Sequence, residues 1–285
     1  QINQLIGTAI ASGQNSAVSS LAYADRIYQL PLGVVGVAVA IVLLPELSRA
    51  LKSGNLIEAA NLQNRSVEFT LFMTLPAAAA LFVMSEPIVR LVYERGAFAT
   101  NNSTPTVAAI LAIFGLGLPA FVLIKAFTPG YFAREDTRTP MVFAAISVAV
   151  NVVTALTLFP SMGAPGIAVA SAVAGWVNAL MLLAMLIRRG HWGRDIPLLK
   201  RIPRLVLAAV VMAVALYFAQ HWLADRLVRG VPLIVKATTV LGLVGGGALI
   251  YFITAFGTGG ADLGMIRRNV GRRIQPAIKE QSPDP

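Results

Sequence analysis

TPMVFAAISVAVNVVTALTLFPSMGAPGIAVASAVAGWVNALMLLAMLI, residues 139–187, contains no Asp, Glu, Lys or Arg. As one helix it would run about 73 Å, more than twice the roughly 30 Å of a bilayer's hydrocarbon. It therefore holds two spans, and Pro160-Ser161-Met162-Gly163-Ala164-Pro165 is the expected hairpin. Apolar runs of this length without turn signals are too long for strands, so the expected fold class is all-α, a polytopic helical membrane protein.

Working outward, further charge-free runs cover 27–45, 69–85, 96–124, 205–224 and 237–261. Residues 1–24 are also uncharged but are broken by Ser12-Gly13-Gln14-Asn15-Ser16. The reading expects a partial first span over 1–11, so that the chain begins inside a span. Seven complete spans follow at roughly 25–47, 67–92, 106–127, 140–159, 165–187, 204–223 and 232–256. Composition agrees. The 285 residues are 56% hydrophobic and 13% charged, against about 45–50% and 25% in ordinary soluble domains. Cysteine is absent and histidine occurs twice, which excludes disulfide frameworks, thiol catalysis and cysteine-held metals.

Lys and Arg set the expected orientation. Sixteen fall in the even loops and the C-terminal tail, and five in the odd loops and span entrances: Arg26, Arg90, Arg95, Arg226 and Arg229. The even loops and the C-terminus are thus expected in the cytoplasm. The net charge of +10 then reads as a topology signal and an attraction to anionic membrane lipids, with no nucleic acid as partner.

Few residues offer chemistry. No Gly-x-Ser-x-Gly, HExxH or Walker pattern is present, and the expectation is a protein that is not an enzyme. Arg26, in LAYADRIYQLPLG, stands about 15 Å along a helix that starts at Ser16. A charge at membrane depth is costly unless it faces protein or a water-filled cavity. Guanidinium suits bidentate binding of phosphate, so one reading is an anion ligand in a cavity. Pairing with Asp25 or snorkelling to the interface is the other. Lys125 ends a span between Pro119 and Pro129 and reads as a snorkelling anchor or a cavity residue. Asn151, mid-span, reads as interhelical hydrogen-bond glue or a cation ligand. Gly242 and Gly246 form a GxxxG, a weak signal for close helix packing. His191 and His221, beside Trp192 and Trp222, read as interfacial anchors.

LAYADRIYQLPLGVVGVAVAIVLLPELSRALKSGN (21–55) and KAFTPGYFAREDTRTP (125–140) resemble signature blocks of the MurJ/MviN family of lipid II flippases, within the multidrug/oligosaccharidyl-lipid/polysaccharide exporter superfamily. The resemblance runs from Asn3 to about Phe256, with the last two spans matching in hydropathy only. It implies a fourteen-span protein of two lobes around a central cavity, of which this chain carries the C-terminal half. Residues 1–187 would be the C-terminal lobe, 188–257 two additional helices forming a lipid-tail groove, and 258–285 a basic cytoplasmic tail.

By resemblance, Arg26 is a cavity arginine for the substrate's pyrophosphate, with Asp25 beside it, and Lys125 lines the path. The substrate would be lipid II, the undecaprenyl-pyrophosphate-linked peptidoglycan precursor, moved across the bacterial inner membrane by alternating access. One branch of the family binds sodium, and the counterparts here are Asn3, Asn151 and Ser171. The carboxylates of that pattern are missing, because Asn3 stands where an Asp is common and 140–187 contains no acid. No organic cofactor is implied. Sodium, protons and the membrane potential stay open as the driving force. The alternatives are another polysaccharide-lipid or drug exporter of the superfamily, a non-transporting scaffold, and a membrane enzyme acting on polyprenyl substrates. The last would need a carboxylate cluster that the sequence does not show.

Overall fold

The computed structural model describes residues 11, 16–95, 98, 103–193, 196–228 and 230–260. Among them are eight α-helices: α1 (Ala17–Lys52), α2 (Leu56–Val83), α3 (Ser85–Tyr93), α4 (Thr104–Phe132), α5 (Arg138–Met162), α6 (Ala164–Arg188), α7 (Ile196–Trp222) and α8 (Leu233–Gly257). A 3-10 turn, Ala224–Arg226, joins the last two. Helices α2, α4, α5, α6, α7 and α8 are each long and apolar enough to cross a membrane. The 36 residues of α1 make about 54 Å of helix and contain the uncharged run 27–45. The chain is a multi-pass, all-helical membrane protein.

Three details depart from the sequence reading. The span expected over 67–92 is two helices, broken at Met84. Pro87 would drive its ring into the carbonyl of Val83 in a continuous helix, so α2 stops there. At the other end α2 starts at Leu56, because the Asn55 side chain accepts the Glu58 N–H at 3.0 Å and caps it. Arg65 is therefore on a helix, as are Lys200, Arg201 and Arg204 of α7. The third difference is the Pro160–Pro165 hairpin. Helix α5 runs through Pro160 to Met162, and Pro165 sits in the first turn of α6. Gly163 alone makes the corner, with φ 63°, a backbone state glycine adopts freely.

In lipid, helices associate through close packing and hydrogen bonds rather than through expulsion of water. Helix α4 is the hub, with α1, α2 and α6 packed around it. Its glycines permit this: a Cβ at Gly115 would lie 2.9 Å from Leu81, and one at Gly117 would lie 3.2 Å from Ala172. Polar side chains bridge the same seams. Tyr131 Oη donates to the Leu182 carbonyl at 2.6 Å, Gln63 Nε2 to Ala126 O at 2.6 Å, and Trp176 Nε1 to Leu116 O at 3.1 Å. Helix α5 lies outside, on α6, and α7 with α8 lies against α2. The expected GxxxG packing is displaced by one residue. Positions 242 and 246 meet no described neighbour, whereas a Cβ at Gly247 would lie 2.9 Å from Leu216 of α7.

Candidate functional site

Helix α1 is two-faced around Arg26. Ala24, Tyr28, Val39, Leu43 and Leu47 are buried. Ala22, Arg26, Leu30, Val34 and Ile41 form an exposed stripe at helical spacing. Arg26 thus points away from the packed helices and makes no hydrogen bond or ion pair with a described residue. It does not pair with Asp25. Adjacent residues diverge by about 100° on a helix, and the carboxylate of Asp25 instead accepts a hydrogen bond from Gln29 one turn on. Aromatic packing fixes this end of α1. Tyr23 stacks on Tyr93 at 4.7 Å and on Phe98 at 5.3 Å, and Tyr93 Oη donates to the Tyr23 carbonyl at 3.2 Å. One turn below Asp25, the Tyr28 hydroxyl is buried without a hydrogen-bond partner among the described residues.

Lys125 is half-buried on α4 and lies against Gly36 of α1. A methyl at Gly36 would come within 2.6 Å of Lys125 Cδ and 2.8 Å of Nζ. It is therefore a residue of the α1–α4 seam, and glycine leaves room for its stem. Gly36 and Arg26 are ten residues apart, about 15 Å along α1, so Lys125 sits in the α1–α4 seam and does not meet Arg26.

Asn151 and Ser171 are brought together. Asn151 is 1% exposed, and its Nδ2 donates to Ser171 Oγ at 3.3 Å across α5 and α6. Ser147, one turn before, donates to the Ala174 carbonyl at 2.8 Å. Asn151 Oδ1 has no partner among the described residues, which leaves one buried acceptor facing this seam. Asn3 lies outside the described residues.

The 125–140 block has a structural account. Asp136 caps α5 by accepting the Thr139 N–H at 3.0 Å and forms an ion pair with Arg189 at the end of α6. Arg189 also donates to Thr139 Oγ1 at 3.0 Å. The Thr139 hydrogen bonds, then Arg189, hold the Asp136 carboxyl down to about 2. Burial first, then Arg134 and Arg189, lower the His191 imidazole. Trp192 packs onto Phe127, centroids 5.8 Å apart. Trp222 is 90% exposed.

Sequence reading missed four charges. Glu94 binds Lys236 and Glu68 binds Arg201, joining α7 and α8 to the rest of the fold. The one signal available was an isolated acid or base at the edge of an apolar run, which does not name its partner.

The family profile described as "Lipid II flippase MurJ" matches residues 1–237. The chain is 69% identical over 282 residues to the "Probable lipid II flippase MurJ" of Rhizobium meliloti (strain 1021), covering 99% of this chain and 52% of that protein. It is 57% identical over 274 residues to a Rhizobium tropici protein of the same description, covering 96% and 51%. A solved structure, "Lipid II flippase MurJ, inward closed conformation", superposes with a TM-score of 0.72 at 27% identity, covering 95% of this chain and 52% of that chain. The chain spans about half the length of the curated relatives it matches.

Proposed function

Since this chain belongs to the MurJ lipid II flippase family, we propose that it is the C-terminal half of a transporter that moves lipid II from the cytoplasmic to the periplasmic leaflet of the bacterial inner membrane. The observation that carries this reading is the exposed Arg26 on a helix face that the described chain leaves uncovered. A pyrophosphate cannot enter hydrocarbon with its charge unmet. A guanidinium facing a cavity replaces water with charge-assisted hydrogen bonds. Because Gln29 engages Asp25, the neighbouring acid does not compete directly for Arg26. Asp25 sets the local field, and Lys125 adds a second positive charge further along the path.

Residues 1–187 act as the lobe that bears these charges. Helices α7 and α8 supply an apolar wall for the polyprenyl tail, and the basic segments face the cytoplasm and its anionic lipids. Alternating access then comes from rocking this lobe against its counterpart. Asn151 Oδ1 and Ser171 Oγ offer two neutral oxygens to a coupling cation. Two neutral oxygens without a carboxylate make a weak sodium site, which favours protons or the membrane potential as the driving force.

The test is growth of a bacterium depleted of its own flippase, supplied with the full-length protein carrying this chain. The unaltered protein supports growth and Arg26→Glu does not. Residues 1–285 alone do not support growth, because one wall of the cavity is missing. Full rescue by Arg26→Glu overturns the assignment.

A further inference from the structure

Two ion pairs fasten α7 and α8 to the rest of the fold, one at each end of the helix pair. Glu94, the C-terminal cap of α3, receives Lys236 Nζ of α8 at 3.2 Å, with side chains 3% and 10% exposed. One turn earlier Arg90, itself paired with Glu86, donates Nη1 to the Leu227 carbonyl at 3.4 Å, in the turn between α7 and α8. At the opposite end Arg201 of α7 meets Glu68 of α2 at 2.6 Å, and Asn64 Nδ2 donates to the Gly193 carbonyl at 3.2 Å. Arg201 and the end of α7 at Trp222 are about 32 Å apart along the helix, close to the hydrocarbon thickness. Between the two ends the seam is aromatic. Phe72 packs against Tyr251, Phe252 and Phe256, and Tyr251 Oη donates to the Phe72 carbonyl at 3.0 Å.

A buried ion pair is a poor source of stability, because removing two charges from water costs about what their attraction returns. Its stronger effect is on register. Sliding α8 by one helical turn, about 5.4 Å, would leave Glu94 and Lys236 apart in a medium where neither is solvated. An aromatic seam alone carries no such penalty. We propose that Glu94–Lys236 and Glu68–Arg201 are a two-ended clamp that makes the α7–α8 pair one rigid body with the lobe. These four are positioning residues. The wall they hold travels with Arg26 as the lobe rocks, so the tail and the head of the cargo keep a fixed relation on this side. The role in transport rests on the flippase reading, whereas the clamp rests on the geometry.

This chain carries no cysteine, so once any cysteine in the rest of the full-length protein is replaced by serine a direct measurement is possible. Cysteines at Met141 near the start of α5 and Ile234 near the start of α8, both exposed and at opposite ends of the bundle, take spin labels in the full-length protein in nanodiscs, and pulsed EPR reads the distance between them. The expected result is one narrow distance. Glu94→Gln broadens it or adds a second distance shifted by up to about 5 Å, one helical turn. The reversed pair Glu94→Lys with Lys236→Glu returns it to the narrow form. A narrow distance in Glu94→Gln, or a reversed pair as broad as the single variant, overturns the clamp. Should Glu94→Gln not fold, Glu94→Met with Lys236→Met decides: a broadened distance supports the clamp and a narrow one overturns it. The distance needs no transport. Failure of the unaltered protein to support growth would therefore remove the flippase reading and leave the clamp standing.

Discussion

Arg26 and Lys236 look alike in the sequence. Each is a cation immediately before a long charge-free run, 27–45 in one case and 237–261 in the other. The fold treats them oppositely. Lys236 is buried against Glu94, a residue 142 positions away in the chain. Arg26 is exposed on the uncovered stripe of α1 and has no ion pair with a described residue. A cation already neutralised inside the fold holds helices in place. A cation whose neighbouring acid is engaged elsewhere is available to a ligand.

Charge reversal at the two sites gives the sharpest test of the contrast. Arg26→Glu in the full-length protein removes growth support altogether, while its melting temperature in detergent stays within a degree or two, since an exposed substitution costs about 0.5 kcal/mol or less. Lys236→Ala does the reverse in kind. It removes the cation that faces the buried Glu94 carboxylate and costs about 3 kcal/mol of stability, read as a drop in melting temperature. Equal melting losses in the two variants would end the distinction between a ligand-facing cation and a structural one.

The fold was largely legible because hydropathy is a local signal. The expected spans 106–127, 140–159 and 165–187 fall inside α4, α5 and α6, and 232–256 matches α8 to within one residue. The errors came from single residues whose effect is steric. Pro87 divides the span expected over 67–92, and Gly163 takes over a corner that Pro160 and Pro165 were expected to form. The seam partners Asn151 and Ser171 were anticipated together through the resemblance, and they meet at 3.3 Å. Glu68–Arg201 and Glu94–Lys236 were not anticipated, because their partners are 133 and 142 residues apart. Periodicity carries no information at that range. The 125–140 block was noticed for a path residue, yet its acidic member Asp136 works as a helix cap and a tie to α6.

Two glycines refine the contrast at smaller scale. A methyl at Gly166 would lie 2.9 Å from the backbone of Leu158, so the α5–α6 hairpin itself must move. A methyl at Gly36 would meet only the flexible end of Lys125. Gly166→Ala should therefore lower stability by about 1–3 kcal/mol. Gly36→Ala should leave the melting temperature nearly unchanged and reduce growth support by displacing the Lys125 ammonium. Unimpaired growth with Gly36→Ala would remove Lys125 from the path.

The smallest effect concerns acid. The Asp136 carboxyl is held at about 2, against an ordinary 3.8, by the Thr139 hydrogen bonds and then by Arg189. A carboxyl lowered by folding stabilises the fold fully above its unfolded value and loses that contribution as pH falls through the folded one. The tie between α5 and α6 is therefore intact from neutral pH down to pH 4 and fades between 3.8 and 2. Asp136→Asn keeps an acceptor for the Thr139 N–H but loses the charge facing Arg189. Its melting temperature should fall slightly below that of the unaltered protein at pH 6, and the two should converge as pH approaches 2. Arg26 sets the control, because it has no ion pair with a described residue for acid to break. The difference between Arg26→Ala and the unaltered protein should stay flat over the same range. A gap for Asp136→Asn that persists undiminished at pH 2 would mean that the charge on Asp136 contributes nothing to this corner.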